Sequence, residues 1–170
     1  MNITIERVIQ ATPEVHDLIG ELNDVLGVVY GAHQRHGLTI EQLFEPNVHF
    51  FLARLDGLAV GCGGVAVFDD YAEVKRMYTR PATRGRGVAK ALLCRIENEV
   101  RGANKSILRL ETGTHQQEAI GLYERMGFSA TRPVRPICGN ASLQHRDEPL
   151  FREDPSVVSR RLFDTRKSSS

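Results

Sequence analysis

Residues 73–89 read Glu73-Val74-Lys75-Arg76-Met77-Tyr78-Thr79-Arg80-Pro81-Ala82-Thr83-Arg84-Gly85-Arg86-Gly87-Val88-Ala89. The stretch starts as an extended segment, breaks at Arg80-Pro81, and turns through Arg84-Gly85-Arg86-Gly87 into an amphipathic helix. A strand that feeds a basic, glycine-containing turn at a helix start is suited to phosphate. The first N–H groups of the helix have no intrahelical acceptor, and the helix dipole adds positive potential there. Glycine lets the backbone approach an anion closely and take a positive φ where the turn needs it. The backbone of Arg84, Gly85, Arg86, Gly87, Val88 and Ala89 is therefore the candidate phosphate cradle, with the Arg84 and Arg86 side chains adding charge. Two nucleotide readings fail on these residues. A P-loop ends Gly-Lys-Ser/Thr, whereas this turn ends Gly87-Val88-Ala89. A dinucleotide fingerprint needs three spaced glycines, and this turn has two.

Downstream, Val88, Leu92, Leu93, Ile96 and Val100 line one face of a helix over residues 88–101, and Gly102 is a natural stop. Residues 106–112 then read as a strand. Strand, turn, helix and strand over about 40 residues make a βαβ unit, so these two strands should be parallel. Upstream, residues 48–55 are rich in strand formers, Asp56-Gly57 is a hairpin signal, and residues 58–68 return. Gly61, Gly63 and Gly64 in the return read as a bulge or a tightly packed strand. With residues 72–79 these strands form an antiparallel meander.

Towards the N-terminus, Ile3, Ile5 and Val8 predict a short strand, and Thr12-Pro13 caps a helix. Val15, Leu18, Ile19, Leu22, Val25 and Leu26 form that helix's apolar stripe. Thr39-Ile40-Glu41-Gln42 has capping-box spacing and predicts a short second helix before Pro46. His33-x-x-His36 has no further ligand nearby and reads as two polar residues beside a cleft, not a metal pair. Residues 117–126 predict the last clear helix, ended by Gly127, and Phe128 opens another strand. Beyond Arg132 neither period holds. Val157, Val158, Leu162 and Phe163 are the only late apolar cluster, and residues 165–170 read as disordered. The organisation expected is a mixed α/β domain over residues 1–135 and an atypical, partly disordered segment over 136–170.

The 170-residue length suits one domain. A net charge of +1 argues against a dedicated nucleic-acid binder. Cys62, Cys94 and Cys138 are widely spaced with no CxxC pair, so neither a disulfide framework nor a zinc site is expected. Cys94, among apolar helix residues, reads as core. Without a signal-like leader or a long apolar run, a cytoplasmic protein with no membrane partner is expected.

Arg84-x-x-Gly87-x-Ala89 resembles the Arg/Gln-x-x-Gly-x-Gly/Ala signature of the GNAT superfamily of N-acetyltransferases. Ala119-x-x-x-Tyr123-x-x-x-Gly127-Phe128 is similar to that family's later helix, about 30 residues on. The resemblance spans residues 2–135 and implies acetyl-CoA as cosubstrate, with no metal, and transfer to a primary amine by direct attack in a ternary complex. It implies that the pantetheine arm pairs with the backbone of Met77 and Thr79. Glu73, eleven residues before Arg84, matches the strand glutamate that serves as general base in some members. The competing reading is a surface glutamate paired with Lys75 or Arg76. Glu111 is a weaker rival base, and Thr112 or Thr114 could serve the acceptor.

Tyr123 is the implied general acid for the departing thiolate; the alternative is an aromatic anchor for the last helix. Gln116 stands where members often carry Asn, keeping a cofactor-binding amide. The acceptor pocket is expected between the first two helices and the C-terminal segment, for a small-molecule or peptide amine. Exposed apolar edge in the tail would be covered in a homodimer. The family usually ends in one more strand, which the late sequence does not display. One hypothesis is a frameshift, since a shifted frame over residues 137–148 can encode a more family-like segment; the coding DNA decides it. The runner-up function is a non-catalytic acyl-CoA-binding module that keeps the 84–89 cradle and makes no use of Glu73 or Tyr123.

Overall fold

The computed structural model describes residues 1–30, 37–112, 117–130 and 156–162. His33, His36, Thr114, Gln116, Cys138 and the segments 131–155 and 163–170 lie outside the described residues. A seven-stranded sheet runs in the order β1-β2-β3-β4-β5-β7-β6. Its strands are β1 (Ile3–Val8), β2 (Val48–Leu55), β3 (Leu58–Val67), β4 (Ala72–Thr79), β5 (Ile107–Thr112), β6 (Ser129–Ala130) and β7 (Ser156–Arg161). Among the described residues three α-helices accompany them: α1 (Pro13–Tyr30), α2 (Val88–Gly102) and α3 (Gln117–Arg125). The antiparallel β2-β3-β4 meander, the parallel β4–β5 pair and the final helix–strand follow the expected order.

The apolar stripes decide the layers. Val15, Leu18, Ile19 and Leu22 of α1 bury against Phe50, Leu52 and Cys62 on one face of the sheet. Val88, Leu92, Leu93, Ile96 and Val100 of α2 bury on the other, with Phe51, Val65, Val74 and Tyr123. Cys94 corrects an expectation: it is exposed. At 100° per residue it stands about 200° from Leu92, on the outer face of α2. The capping box forms reciprocally: Thr39 N–H donates to Gln42 Oε1 at 2.9 Å and Gln42 N–H to Thr39 Oγ1 at 3.3 Å, opening a 3-10 turn at Glu41–Phe44. Past Gly102, the left-handed residue at the end of α2 is Asn104, at φ 57°.

The missing last strand lies in the segment left unread. β7 inserts between β5 and β6, antiparallel to both. Arg160 Nη1 donates to Glu97 Oε1 at 2.5 Å, and the Leu162 carbonyl accepts from Arg101 Nη1 at 2.7 Å. The sheet thus draws one strand from beyond residue 135.

Two ion pairs tie α1 to the sheet. Arg54 donates to both oxygens of Glu14 at 2.7 Å, and Arg80 clasps Glu21 through Nε and Nη2, the latter at 2.7 Å. The Arg54 and Arg80 guanidiniums hold the Glu14 and Glu21 carboxyls below the ordinary 4.5. On acidification the unfolded chain therefore takes up these protons first. The stabilisation is present above the ordinary carboxylate value and is lost as pH falls through the lowered folded values. The pairs are partly exposed, so each contributes at most about 1 kcal/mol. Glu21→Gln should lower Tm by about 2 °C at pH 7 and flatten its acid dependence, as read by melting curves from pH 3 to 7.

Candidate active site

The centre of the site is a gap in the sheet. β4 pairs with β5 only from Ala72 to Val74, against Leu108 to Leu110. There β4 bulges: Cys62 faces Tyr78 but Gly64 faces Lys75, so Arg76 and Met77 together oppose Gly63. Arg76 takes φ 55°, and a Cβ on Gly63 would overlap the Met77 sulfur. The glycines of β3 thus permit both the bulge and the close packing. Arg80 N–H donates to Val60 O at 2.9 Å, towards β3. By strand alternation Tyr78 also faces β3, while the N–H and C=O of Met77 and Thr79 face the gap, where no strand pairs with them among the described residues.

The basic turn lies just beyond this gap. Gly85 and Gly87 stand at φ 75° and 85°, and Gly87 is the N-cap of α2. Arg84 N–H is used by Pro81 O and Arg86 N–H by Thr83 O. The N–H groups of Gly85, Gly87, Val88 and Ala89 have no backbone acceptor among the described residues. Arg84 and Arg86 are exposed, and Arg84 Nη1 lies 3.4 Å from Glu118 Oε2. Arg80, the arginine just before the turn, is committed elsewhere: Glu21 and Ala59 O take its three nitrogens.

Glu73 lies on the α1 face of the sheet, in register with Arg109, and its Oε1 is 2.6 Å from Lys75 Nζ. Its partner is thus the lysine two residues along. Glu111, on the same face of β5, is exposed. Tyr123 is 8% exposed, edge-on to Phe128 at 5.9 Å, and burial pushes its phenol up to about 12. It anchors α3 in the core. Burial likewise raises the Cys62 thiol to about 12.

A cavity of about 420 Å³ opens on the α1 side, lined by His16, Asn23, Gly37, Glu41 and Arg76 among others. Arg76 is the residue that sequence reading missed in this role. Burial lowers its proton affinity from the ordinary arginine value. Only the paired glycines Gly63-Gly64 opposite hinted that the strand would bulge and redirect it.

Among the described residues no helix is long and apolar enough to cross a membrane. The profile of the Acetyltransferase (GNAT) family matches residues 16–128. The chain is 42% identical over 151 residues to an "IAA acetyltransferase" of Azospirillum brasilense, covering 88% of this chain and 99% of that one. Among solved structures, one from Klebsiella pneumoniae described as an acyl-CoA N-acyltransferase has a TM-score of 0.68 at 29% identity, over 95% of this chain and 98% of that one. A GNAT acetyltransferase from Elizabethkingia anophelis, solved with acetyl-CoA bound, shares the fold at a TM-score of 0.65 and 18% identity, over 95% and 99% of the two chains.

Proposed function

Because the chain belongs to the GNAT family of acetyltransferases, we propose that it moves an acetyl group from acetyl-CoA to a primary amine by direct attack in a ternary complex. The observation that carries this reading is the edge of β4, unpaired among the described residues, opening beside a turn with four N–H groups that have no backbone acceptor among them. The gap gives an extended pantetheine arm the donors and acceptors a missing strand would have given, at Met77 and Thr79. The backbone of residues 84–89, with Arg84 and Arg86, holds the diphosphate, and Gln116 adds an amide contact.

The thioester supplies an activated acyl group. The chain's residues polarise its carbonyl through Met77 N–H, accept the amine's proton at Glu73 through water, and return a proton to the thiolate from Tyr123. A phenol that stays protonated up to about 12 is in the donating form throughout the working range. The cavity of about 420 Å³ suits a small-molecule acceptor.

The test is thiol release from acetyl-CoA across a panel of amines. Turnover on at least one amine is expected; binding without turnover on any would favour the non-catalytic module. Glu73→Gln should lower kcat by about 100-fold while acetyl-CoA affinity is retained, as a general base requires. A wild-type kcat in that variant would return Glu73 to the role of a partner for Lys75.

A further inference from the structure

Three arginines on or directly after sheet strands reach towards α1, and two of them end on carboxylates. Arg54 is held by Glu6 and Glu14, and Arg80 by Glu21. Arg76 has no carboxylate within ion-pair range among the described residues. Its Nη1 donates to an amide, Asn23 Oδ1, at 2.8 Å, and its Nε is buried with no hydrogen-bond partner among the described residues. A buried, charged N–H without an acceptor is costly, so a partner from outside the chain would relieve it.

The backbone is arranged to keep the guanidinium there. Arg76 sits in the left-handed region within the β4 bulge, beside the gap at Met77. Gly37 lies against it, and a Cβ at that position would come 2.5 Å from Nη1. The guanidinium lines the cavity of about 420 Å³, whose lining also includes His16 and Glu41.

The geometry points to an acceptor that carries a carboxylate as well as its amine, the carboxylate bound on the free Nε edge of Arg76. The planar guanidinium matches a carboxylate through two parallel N–H donors, of which Nε is one. With one arginine and one glutamate in the lining among the described residues, the cavity suits a monoanion better than a dianionic phosphate. This assignment rests on the transferase reading and names its substrate class.

The experiment is calorimetric titration of the full chain, saturated with CoA, using 4-aminobutyrate, L-phenylalanine and L-methionine, each against its carboxamide. O-phosphoethanolamine is a fourth arm. At least one acid should bind about 10-fold or more tighter than its amide, the usual range for a hydrogen bond to a charged group. Phosphoethanolamine should bind no better than that acid. Arg76→Gln should reduce the acid preference to within about 2-fold, Arg76→Lys should retain part of it, and Gly37→Ala should weaken it by displacing the guanidinium.

Equal binding of acid and amide across the panel, no binding of any acid, tighter binding of phosphoethanolamine, or a preference untouched by Arg76→Gln would overturn the assignment. Thiol-release assays on the same compounds separate the two readings. Turnover of amines without regard to their carboxylates sinks this proposal and leaves the transferase standing. An Arg76-dependent acid preference without turnover does the reverse.

Discussion

Gly87→Val should weaken acetyl-CoA binding on the order of 100-fold. Gly87 stands at φ 85° as the N-cap of α2, a conformation that costs an L-residue roughly 1–2 kcal/mol and a β-branched one more. Relieving that strain rotates the peptide planes and turns the N–H groups of Gly87 and Val88 away from the anion. Each hydrogen bond to a charged group contributes about 1.5–3 kcal/mol, so losing two accounts for the expected effect. A suitable control is Gly57→Val, which strains another left-handed glycine, at φ 88° in the β2–β3 hairpin. It should lower Tm and leave CoA affinity unchanged. Calorimetric titration of both variants with acetyl-CoA makes the comparison.

Tyr123→Phe should reduce kcat by about 100-fold, within the range for loss of a general acid, with KM for acetyl-CoA changed by less than about 3-fold. The ring stays, so its packing on Phe128 and the α2 face stays, and Tm should move little. Tyr123→Ala removes the ring as well and should cost about 3–5 kcal/mol of stability. The split between the variants separates the two roles of this residue. A phenylalanine variant with full kcat would leave Tyr123 as the core anchor of α3 alone. Because burial raises the phenol to about 12, no alkaline loss of rate from this group is expected around the ordinary phenol value of 10.0.

The sequence revealed the fold where local chemistry and tertiary packing agree. Asp56-Gly57 turns with both residues at positive φ, the Thr39–Gln42 box closes on itself, and the α2 stripe faces the sheet. It hid β7, because Ser156-Val157-Val158-Ser159-Arg160-Arg161 does not alternate and ends in two arginines. Pairing on both sides and the Arg160–Glu97 ion pair hold that strand, and neither can be read from its own residues. In the site, the free N–H groups of the turn were legible because they follow from glycine spacing and a helix start. Arg76 was not, because a bulge belongs to a pair of strands: a normal β4 alternation would have sent its side chain to the α2 face. Lys75 as the partner of Glu73 was one of two alternatives, and the bulge that turns Arg76 to Asn23 decides for Lys75, at 2.6 Å.

The central claim is that the open edge of β4 and the 84–89 turn together grip one extended ligand. Amide hydrogen exchange of the full chain, with and without saturating acetyl-CoA, tests it most directly. Slowed exchange is predicted at the amides of Met77 and Thr79 and at those of Gly85, Gly87, Val88 and Ala89, all in the same titration. Protection confined to other parts of the chain, or none at any of these six amides, would contradict it.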